Sequence, residues 1–510
     1  MDAWLQFTRY GRGAVVMSMI QKLVRGSLWN SVSEFGSQAL NLAVTLVLSR
    51  KLLPAEFGMF GMVMVFTGFV GYFSEFGLTT GLIQRKDVDE LDTNSVFWAA
   101  VALTVLLYTI VYFCAPLISL FYKEPRLTQI TRVVFASLLL MPVNYLPEVI
   151  QKKKLEYGKI TLSELFSVVV SGTVVIILAL LNFGVWSLVW QSIIKAGSRA
   201  AALIYLTHWK PKFELSWNRI KRLLSIGAGI TLNNLLMFAS DNTDYLLVGK
   251  LLGESPLGIY TMAFRVSKYP MQKLVGVFGK MLFPAFATFS DDPDRVRRNF
   301  ARLLVFFMSW VTPILICGYF ISQPLVHMLL GDKWNATIPL VRVFMINLVL
   351  TTICFQNQPI LVALNKIHKW NALQFVSTVV LAIAGFIGIR LLGILGMAIA
   401  FTAVTSLFLL GTFFMLIQTI RVPFRQILCT IRASLLKDIL FALFIGLVTW
   451  SLNMVTNSDF LRASLPAVLL CVWLIIMNRS DVTNLRESIR AHFAQLRRVK
   501  SGADDTRGKV

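Results

Sequence analysis

The chain contains fourteen long apolar segments, and this feature limits its possible folds more than any other. A transmembrane helix needs about 20 predominantly apolar residues, and continuous apolar runs such as 168–181 and 379–389 supply them. Only 15% of the 510 residues are charged, too few to cover the surfaces of soluble domains. We therefore predict an all-α integral membrane protein with about 14 transmembrane helices. The predicted spans are 27–48, 57–77, 94–115, 127–148, 160–181, 184–206, 223–247, 257–284, 300–321, 336–362, 370–391, 393–418, 435–455 and 460–477.

The distribution of lysine and arginine predicts the orientation of these spans, because cytoplasmic loops are enriched in basic residues. With an even number of spans, 33 of the 49 basic residues fall in one set of loops and the two terminal segments. Eight fall in the opposite loops, and eight lie within spans. We therefore predict that both termini are cytoplasmic. Most of the net charge of +23 then sets topology and contacts anionic lipid, and nucleic acid is not an expected partner.

Two pairs of similar segments indicate an internal repeat of about 200 residues. The pairs are KLLPAEFGMF (51–60) with KLLGESPLGIY (250–260), and NFGVWSLV (182–189) with LGILGMAI (392–399). The second pair places Gly184 opposite Gly393. Chance similarity between apolar sequences is the alternative, chiefly for this second pair. Because each repeat contains six spans, an even number, we predict two parallel six-helix lobes related by a pseudo-two-fold axis along the membrane normal.

The repeat and the charge distribution together predict the organisation of the chain. The predicted parts are a cytoplasmic N-terminal segment (1–26), an N-lobe (27–207), a cytoplasmic linker (208–222), a C-lobe (223–418), two further spans (435–477) and a basic cytoplasmic tail (478–510). Apolar residues recur at helical spacing in the tail, which is typical of an interfacial helix on the inner leaflet. A solvated basic tail is the alternative.

Polar side chains in span 1 form one narrow stripe. Asn30, Glu34, Gln38, Asn41 and Thr45 lie within a sector of about 80° on a helix. Such a stripe is not expected to face lipid, because lipid offers no hydrogen-bonding partners. We predict that Glu34, Gln38 and Asn41 line a substrate cavity. Hydrogen bonding between helices of the bundle is the alternative.

Basic residues within two spans predict a site for an anion. They are Arg265, Lys268, Lys273 and Lys280 in span 8, and Lys195 and Arg199 in span 6. Charged side chains inside a membrane usually face a cavity or a partner. These cations outnumber the acidic residues near them within the membrane, so an anion is the expected partner. A span 8 whose end dips into the cytoplasm is the alternative, but it explains Lys280 and not Arg265.

Span 7 adds Asn234, Asp241 and Asp244 to the predicted cavity. The predicted topology places both aspartates toward the outer side, at a depth similar to that of Arg265. One interpretation is that they pair with Arg265 or Lys268 and so make buried charges tolerable. The other is a titratable or gating role, in which breaking these pairs opens the outer side.

Prolines within four predicted spans are candidate hinges. They are Pro142 and Pro147 in span 4, Pro270 in span 8, Pro313 in span 9 and Pro359 in span 10. Proline removes a backbone hydrogen bond and permits a helix to bend. Alternating access requires such bending, although static bundles also contain proline kinks.

The sequence lacks motifs for nucleotide hydrolysis, metal binding or nucleophilic catalysis, such as GxxxxGK[ST], HExxH, GxSxG and paired CxxC. The longest outer loop has only about a dozen residues, and the first outer loop offers only Glu56. Membrane glycosyltransferases and polymerases usually need large external loops that carry carboxylates. We therefore predict a transporter with no catalytic residues, no metal site and no cofactor.

Two segments resemble a known family of transporters. Residues 28–63 (LWNSVSEFGSQALNLAVTLVLSRKLLPAEFGMFGMV) are similar to the start of bacterial Wzx-type polysaccharide flippases, and residues 241–266 (DNTDYLLVGKLLGESPLGIYTMAFRV) are similar to their second half. With two six-helix halves and an extra pair of spans, the chain resembles the multidrug/oligosaccharidyl-lipid/polysaccharide exporter superfamily. Within it, the likeness is to the exopolysaccharide exporters that include colanic acid export proteins, and it covers spans 1–12.

The resemblance implies a flippase of the bacterial inner (cytoplasmic) membrane. It would move an undecaprenyl-pyrophosphate-linked oligosaccharide repeat unit to the periplasmic leaflet for exopolysaccharide, capsule or O-antigen biosynthesis. Expected partners are this lipid-linked oligosaccharide, membrane lipids, and the polymerase and chain-length regulator of the same pathway. The cations of spans 6 and 8 would attract the pyrophosphate in a cationic central cavity. The alternative is a drug/cation antiporter of the same superfamily, whose cavity should favour acidic and aromatic residues.

Overall fold

The structure is a computed structural model that describes residues 29, 32–75, 82, 89–268, 286, 292–355, 357–364, 366–420, 424–456 and 458–477. Side chains are described in these ranges except at 74–75, 222–237, 293, 350, 353–355, 424–431 and 433. The predicted terminal segments 1–26 and 478–510 therefore lie outside the described residues, as do Pro270, Lys273, Lys280 and the side chain of Asn234.

The described residues form helices joined by short connections. The helices are α1 (32–51), α2 (Pro54–Glu75), α3 (Glu90–Tyr122), α4 (Leu127–Phe135), α5 (Met141–Lys153), α6 (Tyr157–Leu180), α7 (Val185–Thr207), α8 (Trp217–Leu252), α9 (254–268), α10 (Pro293–Phe320), α11 (Ser322–Leu329), α12 (Ile338–Phe355), α13 (Asn357–Ala363), α14 (Ile367–Ile420), α15 (Phe424–Val455) and α16 (Asp459–Met477). Eight helices in the described part of the chain are long and apolar enough to cross a membrane. The predicted all-α membrane fold is confirmed, whereas the count of fourteen spans stays a prediction.

Helix α14 is a hairpin of two helices that meet at Gly393. A straight helix of 54 residues would be about 80 Å long, far more than the hydrocarbon core of a bilayer. Gly393 has φ 60° and ψ −137°, which is not helical. The chain reverses at Gly393, and the two helices then run close together. A Cβ atom on Gly396 would lie only 1.9 Å from the carbonyl oxygen of Gly388. This hairpin agrees with the predicted spans 370–391 and 393–418.

The same turn occurs before α7. Gly184 has φ 58° and ψ −133°, nearly the values of Gly393, and L-residues rarely adopt a positive φ of this kind. These are the two glycines that the proposed repeat matches. The sequence similarity between the two connections therefore corresponds to one shared backbone conformation.

The described residues form two compact units. One contains the described residues up to 268 with 329–340 and 368–408, and the other contains the described residues of 279–328, 341–367 and 409–477. The predicted lobes were inferred from the sequence repeat, whereas these two units are defined by how compactly the chain packs. The units therefore do not test the lobe division, which stays a prediction. The predicted linker 208–222 is shorter in the structure, because α8 already begins at Trp217.

In the first unit, helices α6 and α7 pack against each other as a hairpin. Val175 of α6 and Leu188 and Leu203 of α7 are buried. Helix α1 packs against α6 through small residues. A Cβ atom on Gly172 would lie 2.7 Å from a methyl carbon of Val44, so the two helices approach closely at that glycine.

In the second unit, the last two helices pack on α10. Cys317 of α10 forms a buried cluster with Phe441 and Ile445 of α15, and Trp473 of α16 packs against that cluster. The hydroxyls of Ser309 and Ser434 lie 3.3 Å apart across the same pair of helices.

Candidate functional site

The cations predicted in span 6 belong to a chain of ion pairs in the N-terminal half. Glu164 of α6 contacts two residues of α7, with Oε1 3.0 Å from Lys195 Nζ and Oε2 2.9 Å from Arg199 Nε. Glu148 of α5 also contacts two cations, with Oε2 2.5 Å from Arg199 Nη2 and Oε1 2.6 Å from Lys152 Nζ. We call these five residues the N-half cluster.

The N-half cluster is half-buried and keeps an excess of positive charge. Three cations share two carboxylates, and the exposed fractions of the side chains are 16% for Arg199 and Glu148, 22% for Glu164 and 35% for Lys195. Because Lys152 lies outside the predicted spans, two cations face two acids within them, and an excess of cations within the membrane stays a prediction. The prediction left out both acidic partners, although Glu164 lies within predicted span 5 and Glu148 at the end of predicted span 4.

Helix α5 is held in place beside this cluster by a buried asparagine. The Asn144 side chain donates to the carbonyl oxygens of Leu140, at 2.9 Å, and of Ala196, at 3.1 Å. Ala196 lies between Lys195 and Arg199 in α7, so this bond fixes α5 against the helix that carries the two cations. The carboxylate of Glu148, one turn after Asn144, is thereby directed at Arg199.

A break in the helix precedes this part of α5. A 3₁₀-helix, Ala136–Leu140, separates α4 from α5, and Pro142 stands in the first turn of α5 with Pro147 inside it. Both prolines are buried. The hinge candidates Pro142 and Pro147 therefore lie beside a break in the helix and close to Glu148; movement at this position stays a prediction.

The other two hinge candidates among the described residues lie in helices of the second unit. Pro313 is inside α10, which continues through it, and Pro359 lies in the short helix α13. Their role as hinges stays a prediction.

The C-terminal half has a second charged cluster, which is built differently. The Asp244 side chain is fully buried, accepts a 2.8 Å hydrogen bond from the Tyr260 hydroxyl and accepts another from the backbone N–H of Tyr245 at 2.9 Å. Lys268 as a whole residue is 4% exposed, and its ammonium nitrogen lies 3.7 Å from the centre of the Phe401 ring. We call Asp244, Tyr260, Lys268 and Phe401 the C-half cluster.

Electrostatic attraction links Lys268 to Asp241 and Asp244 of α8. This agrees with the interpretation in which the aspartates of span 7 pair with a buried cation. The carboxylates of Asp244 and Asp241 both interact with the Lys268 ammonium, and a second aromatic ring, Phe264, lies 4.9 Å from it. Asp241 is exposed and Arg265 is half-buried. This arrangement favours a structural role for Lys268 and Asp244, and their place in a substrate cavity stays a prediction.

The polar stripe of span 1 lies on α1. Glu34, Gln38 and Asn41 are all half-buried. The Asn41 amide donates to the carbonyl oxygen of Ser37 at 2.8 Å, and the Thr45 hydroxyl donates to the carbonyl oxygen of Asn41 at 2.8 Å. These two side chains are therefore bonded within their own helix, and lining of a cavity stays a prediction.

The first pair of repeated segments forms a reciprocal crossing of α2 and α9. A Cβ atom on Gly58 would lie 1.7 Å from the carbonyl oxygen of Glu254, and one on Gly258 would lie 1.8 Å from that of Pro54. Each half thus places a glycine on the backbone of the other, with the same spacing of four residues. The two segments therefore take equivalent positions at this crossing, and the repeat of two whole lobes stays a prediction. Because the contact is self-complementary, it has local pseudo-two-fold symmetry.

Polar contacts surround this glycine crossing and are also exchanged between the halves. Arg126, after α3, lies 3.2 Å from the Glu254 carboxylate. In the opposite direction, Lys333 Nζ donates to the carbonyl oxygen of Leu52 at 2.8 Å, and Trp334 Nε1 donates to that of Ser49 at 2.9 Å. All these residues lie in or beside connections that the charge distribution assigns to the outer side.

A third group of contacts holds residues 212–219, the predicted linker and the start of α8, against the start of α3. Arg219 Nη1 lies 2.6 Å from both carboxylate oxygens of Asp89 and 3.0 Å from Asp92 Oδ1. Lys212 Nζ lies 2.6 Å from Glu90. The hydrogen bond from Arg219 lowers the pKa of Asp89, so this pair stays charged through neutral and mildly acidic pH. Both segments belong to loops that the charge distribution assigns to the cytoplasmic side.

Comparison with known proteins identifies the family of this chain. Residues 47–339, more than half of its length, match the family described as "Polysaccharide biosynthesis protein". The chain belongs to this family. The resemblance to Wzx-type exporters of the wider superfamily, inferred from residues 28–63 and 241–266, is thereby confirmed.

Curated relatives match most of the chain. It is 24% identical to the lipopolysaccharide biosynthesis protein WzxC of Escherichia coli K12 over 410 residues, which are 79% of this chain and 82% of that protein. It is 23% identical to the teichuronic acid biosynthesis protein TuaB of Bacillus subtilis 168, over 68% of this chain and 72% of that protein.

A solved structure has the same fold. The lipid II flippase MurJ in an inward closed conformation superposes with a TM-score of 0.69, and it covers 89% of this chain and 99% of that one. The sequence identity is 14%, so this likeness shows the architecture alone. The protein is an all-α membrane transporter.

Proposed function

We propose that this protein is a flippase for an undecaprenyl-pyrophosphate-linked oligosaccharide repeat unit. It moves this unit from the cytoplasmic to the periplasmic leaflet of the inner membrane, where a polymerase uses it for exopolysaccharide, capsule or O-antigen synthesis. The names of the relatives support a polysaccharide pathway, and the fold of a lipid II flippase supports movement of a lipid-linked sugar. The observation that carries the proposal is the excess positive charge of the half-buried N-half cluster.

In this proposal the N-half cluster binds the pyrophosphate of the lipid carrier. Guanidinium groups bind phosphates with two parallel hydrogen bonds, and Lys195 adds a compact charge one turn away from Arg199. The predicted cations Arg265, Lys273 and Lys280 attract the same group from the second half. The sugars contact polar residues of span 1, and the lipid tail stays in the bilayer and leaves through a lateral gap between helices.

The glycine crossing closes the outer side in this proposal. The contact of Gly58 with Gly258 and the surrounding bonds of Arg126, Lys333 and Trp334 must separate before the sugar reaches the periplasm. Alternating access then consists of separating this crossing while the cytoplasmic side closes. An inside-negative potential favours outward movement of the pyrophosphate, by about 2.3 kcal/mol per charge per 100 mV.

A drug/cation antiporter of the same superfamily is the second candidate. Glu148 and Glu164 are the feature in its favour, since carboxylates attract cationic drugs. Their two charges are already matched by three cations in the same cluster, so the net charge there repels a cation. The flippase is therefore the better-supported function.

Depletion of the protein in cells separates the two functions. For a flippase, we expect undecaprenyl-linked repeat units to accumulate on the inner leaflet while surface polysaccharide decreases. A drug antiporter would leave these intermediates unchanged and raise sensitivity to cationic dyes. Radiolabelled sugar in the lipid fraction measures the first outcome, and dye retention measures the second.

A further inference from the structure

The N-half cluster is an alternating row of five charges. From one end to the other, the order is Lys152, Glu148, Arg199, Glu164 and Lys195, and each carboxylate bridges two cations with separate oxygen atoms. Isolated cations inside a membrane are costly, so these carboxylates make the cations tolerable when no substrate is bound. They also compete with any anion that approaches Arg199.

The two carboxylates hold Arg199 in different ways. Glu148 accepts a 2.5 Å hydrogen bond from Arg199 Nη2. Glu164 Oε2 lies 2.9 Å from Arg199 Nε without forming a hydrogen bond to this buried nitrogen. Arg199 is therefore held by a hydrogen bond on the side of Glu148 and by charge attraction alone on the side of Glu164.

The two ends of the row are its most exposed parts. Lys152 is 41% and Lys195 35% exposed, whereas Glu164 is 22% exposed and Glu148 and Arg199 are each 16% exposed. Glu148 is also held by the helix contact that Asn144 makes beside it. An anion that approaches from the Lys195 end reaches Glu164 before Arg199.

We propose that Glu164 is an exchangeable counter-ion and that Glu148 is a fixed positioning residue. This inference rests on the proposed function, since the anion is the diphosphate of the lipid carrier. The diphosphate takes the place of Glu164 at Arg199 and Lys195, and Glu148 keeps the guanidinium in the orientation that receives it. As the diphosphate dissociates, the Glu164 carboxylate pairs again with Arg199 and Lys195 and thereby completes the release of the diphosphate. Glu164 thus limits how tightly the carrier is held, which a transporter needs for turnover.

The test compares two isosteric variants of the full-length protein in lipid nanodiscs, with undecaprenyl diphosphate as the probe. Glu164→Gln removes the competing charge, so we expect about tenfold tighter binding and a slower dissociation of the probe. Glu148→Gln releases Arg199 from its fixed partner, so we expect weaker binding. Glu156→Gln is the matched control, because Glu156 pairs with the exposed Lys159 outside the cluster.

Each outcome decides one part of the proposal. If Arg199→Ala binds the probe as tightly as the wild type, the site of the proposed function is wrong. If Arg199→Ala abolishes binding but Glu164→Gln leaves affinity unchanged or weakens it, only the exchange by Glu164 is wrong. Glu164→Asp keeps a carboxylate and should restore both the affinity and the dissociation rate of the wild type.

Infrared difference spectroscopy on the wild-type protein gives a second measurement that needs no stable Gln variant. Addition of the probe should shift a carboxylate stretching band as Glu164 leaves its two cations, and the band should move in Glu164→Asp as well. A difference spectrum without any carboxylate change would overturn the exchange.

Discussion

The two halves of this transporter carry buried charges in opposite ways. In the N-half cluster, Arg199 and Lys195 are partly exposed and are paired only with carboxylates. In the C-half cluster, Lys268 is almost fully buried beneath the Phe401 ring, and Asp244 is bonded to a tyrosine hydroxyl. The first arrangement leaves its cations within reach of an anion. The second encloses its cation, which stabilises the helices around it.

The largest effect is expected from removing the enclosed cation. Lys268→Met should lower the free energy of unfolding by about 3–5 kcal/mol, because the charge of Asp244 is left buried without its counter-ion. Thermal unfolding in detergent measures the loss, and Asp244→Asn in the same chain should restore much of it. A stable Lys268→Met protein with impaired substrate binding would remove the distinction between the two clusters.

Removing Arg199 should impair export far more than stability, because Lys152 and Lys195 still pair with Glu148 and Glu164. Arg199→Ala should reduce export about hundredfold, since a half-buried charged contact to the substrate is lost. Accumulation of lipid-linked repeat units measures the defect, with protein abundance checked in the same cells. Lys159→Ala, which changes an exposed cation of α6, is the control. Full export by Arg199→Ala would show that the N-half cluster is not on the substrate path.

The glycine crossing should respond equally from both halves. Gly58→Ala and Gly258→Ala each place a methyl group on a backbone carbonyl, so each should weaken outer closure by about 1–3 kcal/mol. A membrane-impermeant thiol reagent on Leu257→Cys, in a chain whose five native cysteines are replaced, measures outer opening.

Gly61→Ala is the control for the crossing, because its new methyl group would meet Thr261 Oγ1 at an ordinary 3.5 Å. Labelling that rises with only one of the two crossing variants would contradict the symmetry of the contact.

The smallest effect is expected at the rim of the crossing. Arg126 is 59% exposed, so Arg126→Gln should weaken outer closure by less than about 1 kcal/mol. The same labelling assay, run at low and high salt, should show a difference between variant and wild type only at low salt. An effect as large as that of Gly258→Ala would mean that ion pairs, and not backbone packing, hold the outer side closed.

Local sequence patterns predicted those features that depend on one or two residues. These features are the pairing of Gly184 with Gly393, the prolines beside the break in span 4 and the pairing of 51–60 with 250–260. All of them involve glycine or proline, residue types with strong backbone preferences. The cations Arg199 and Lys195 could be identified for a different reason, because charged residues are rare in apolar spans.

Partners from distant parts of the chain were not predictable in this way. Glu148 reaches Arg199 across 51 positions, and Phe401 covers Lys268 from another hairpin. Which acid meets which cation depends on how helices α5, α6 and α7 rotate and pack. That information is distributed over many small contacts and is not carried by any one motif.

The reciprocity of the glycine crossing has a consequence for leakage. Gly58 rests on the backbone at Glu254, and Gly258 rests on the backbone at Pro54, so both contacts involve the same two helix ends. Separation of one contact should therefore strain the other. If this crossing closes the outer side as proposed, we expect that side to open as one cooperative unit, without a half-open state through which small ions could escape.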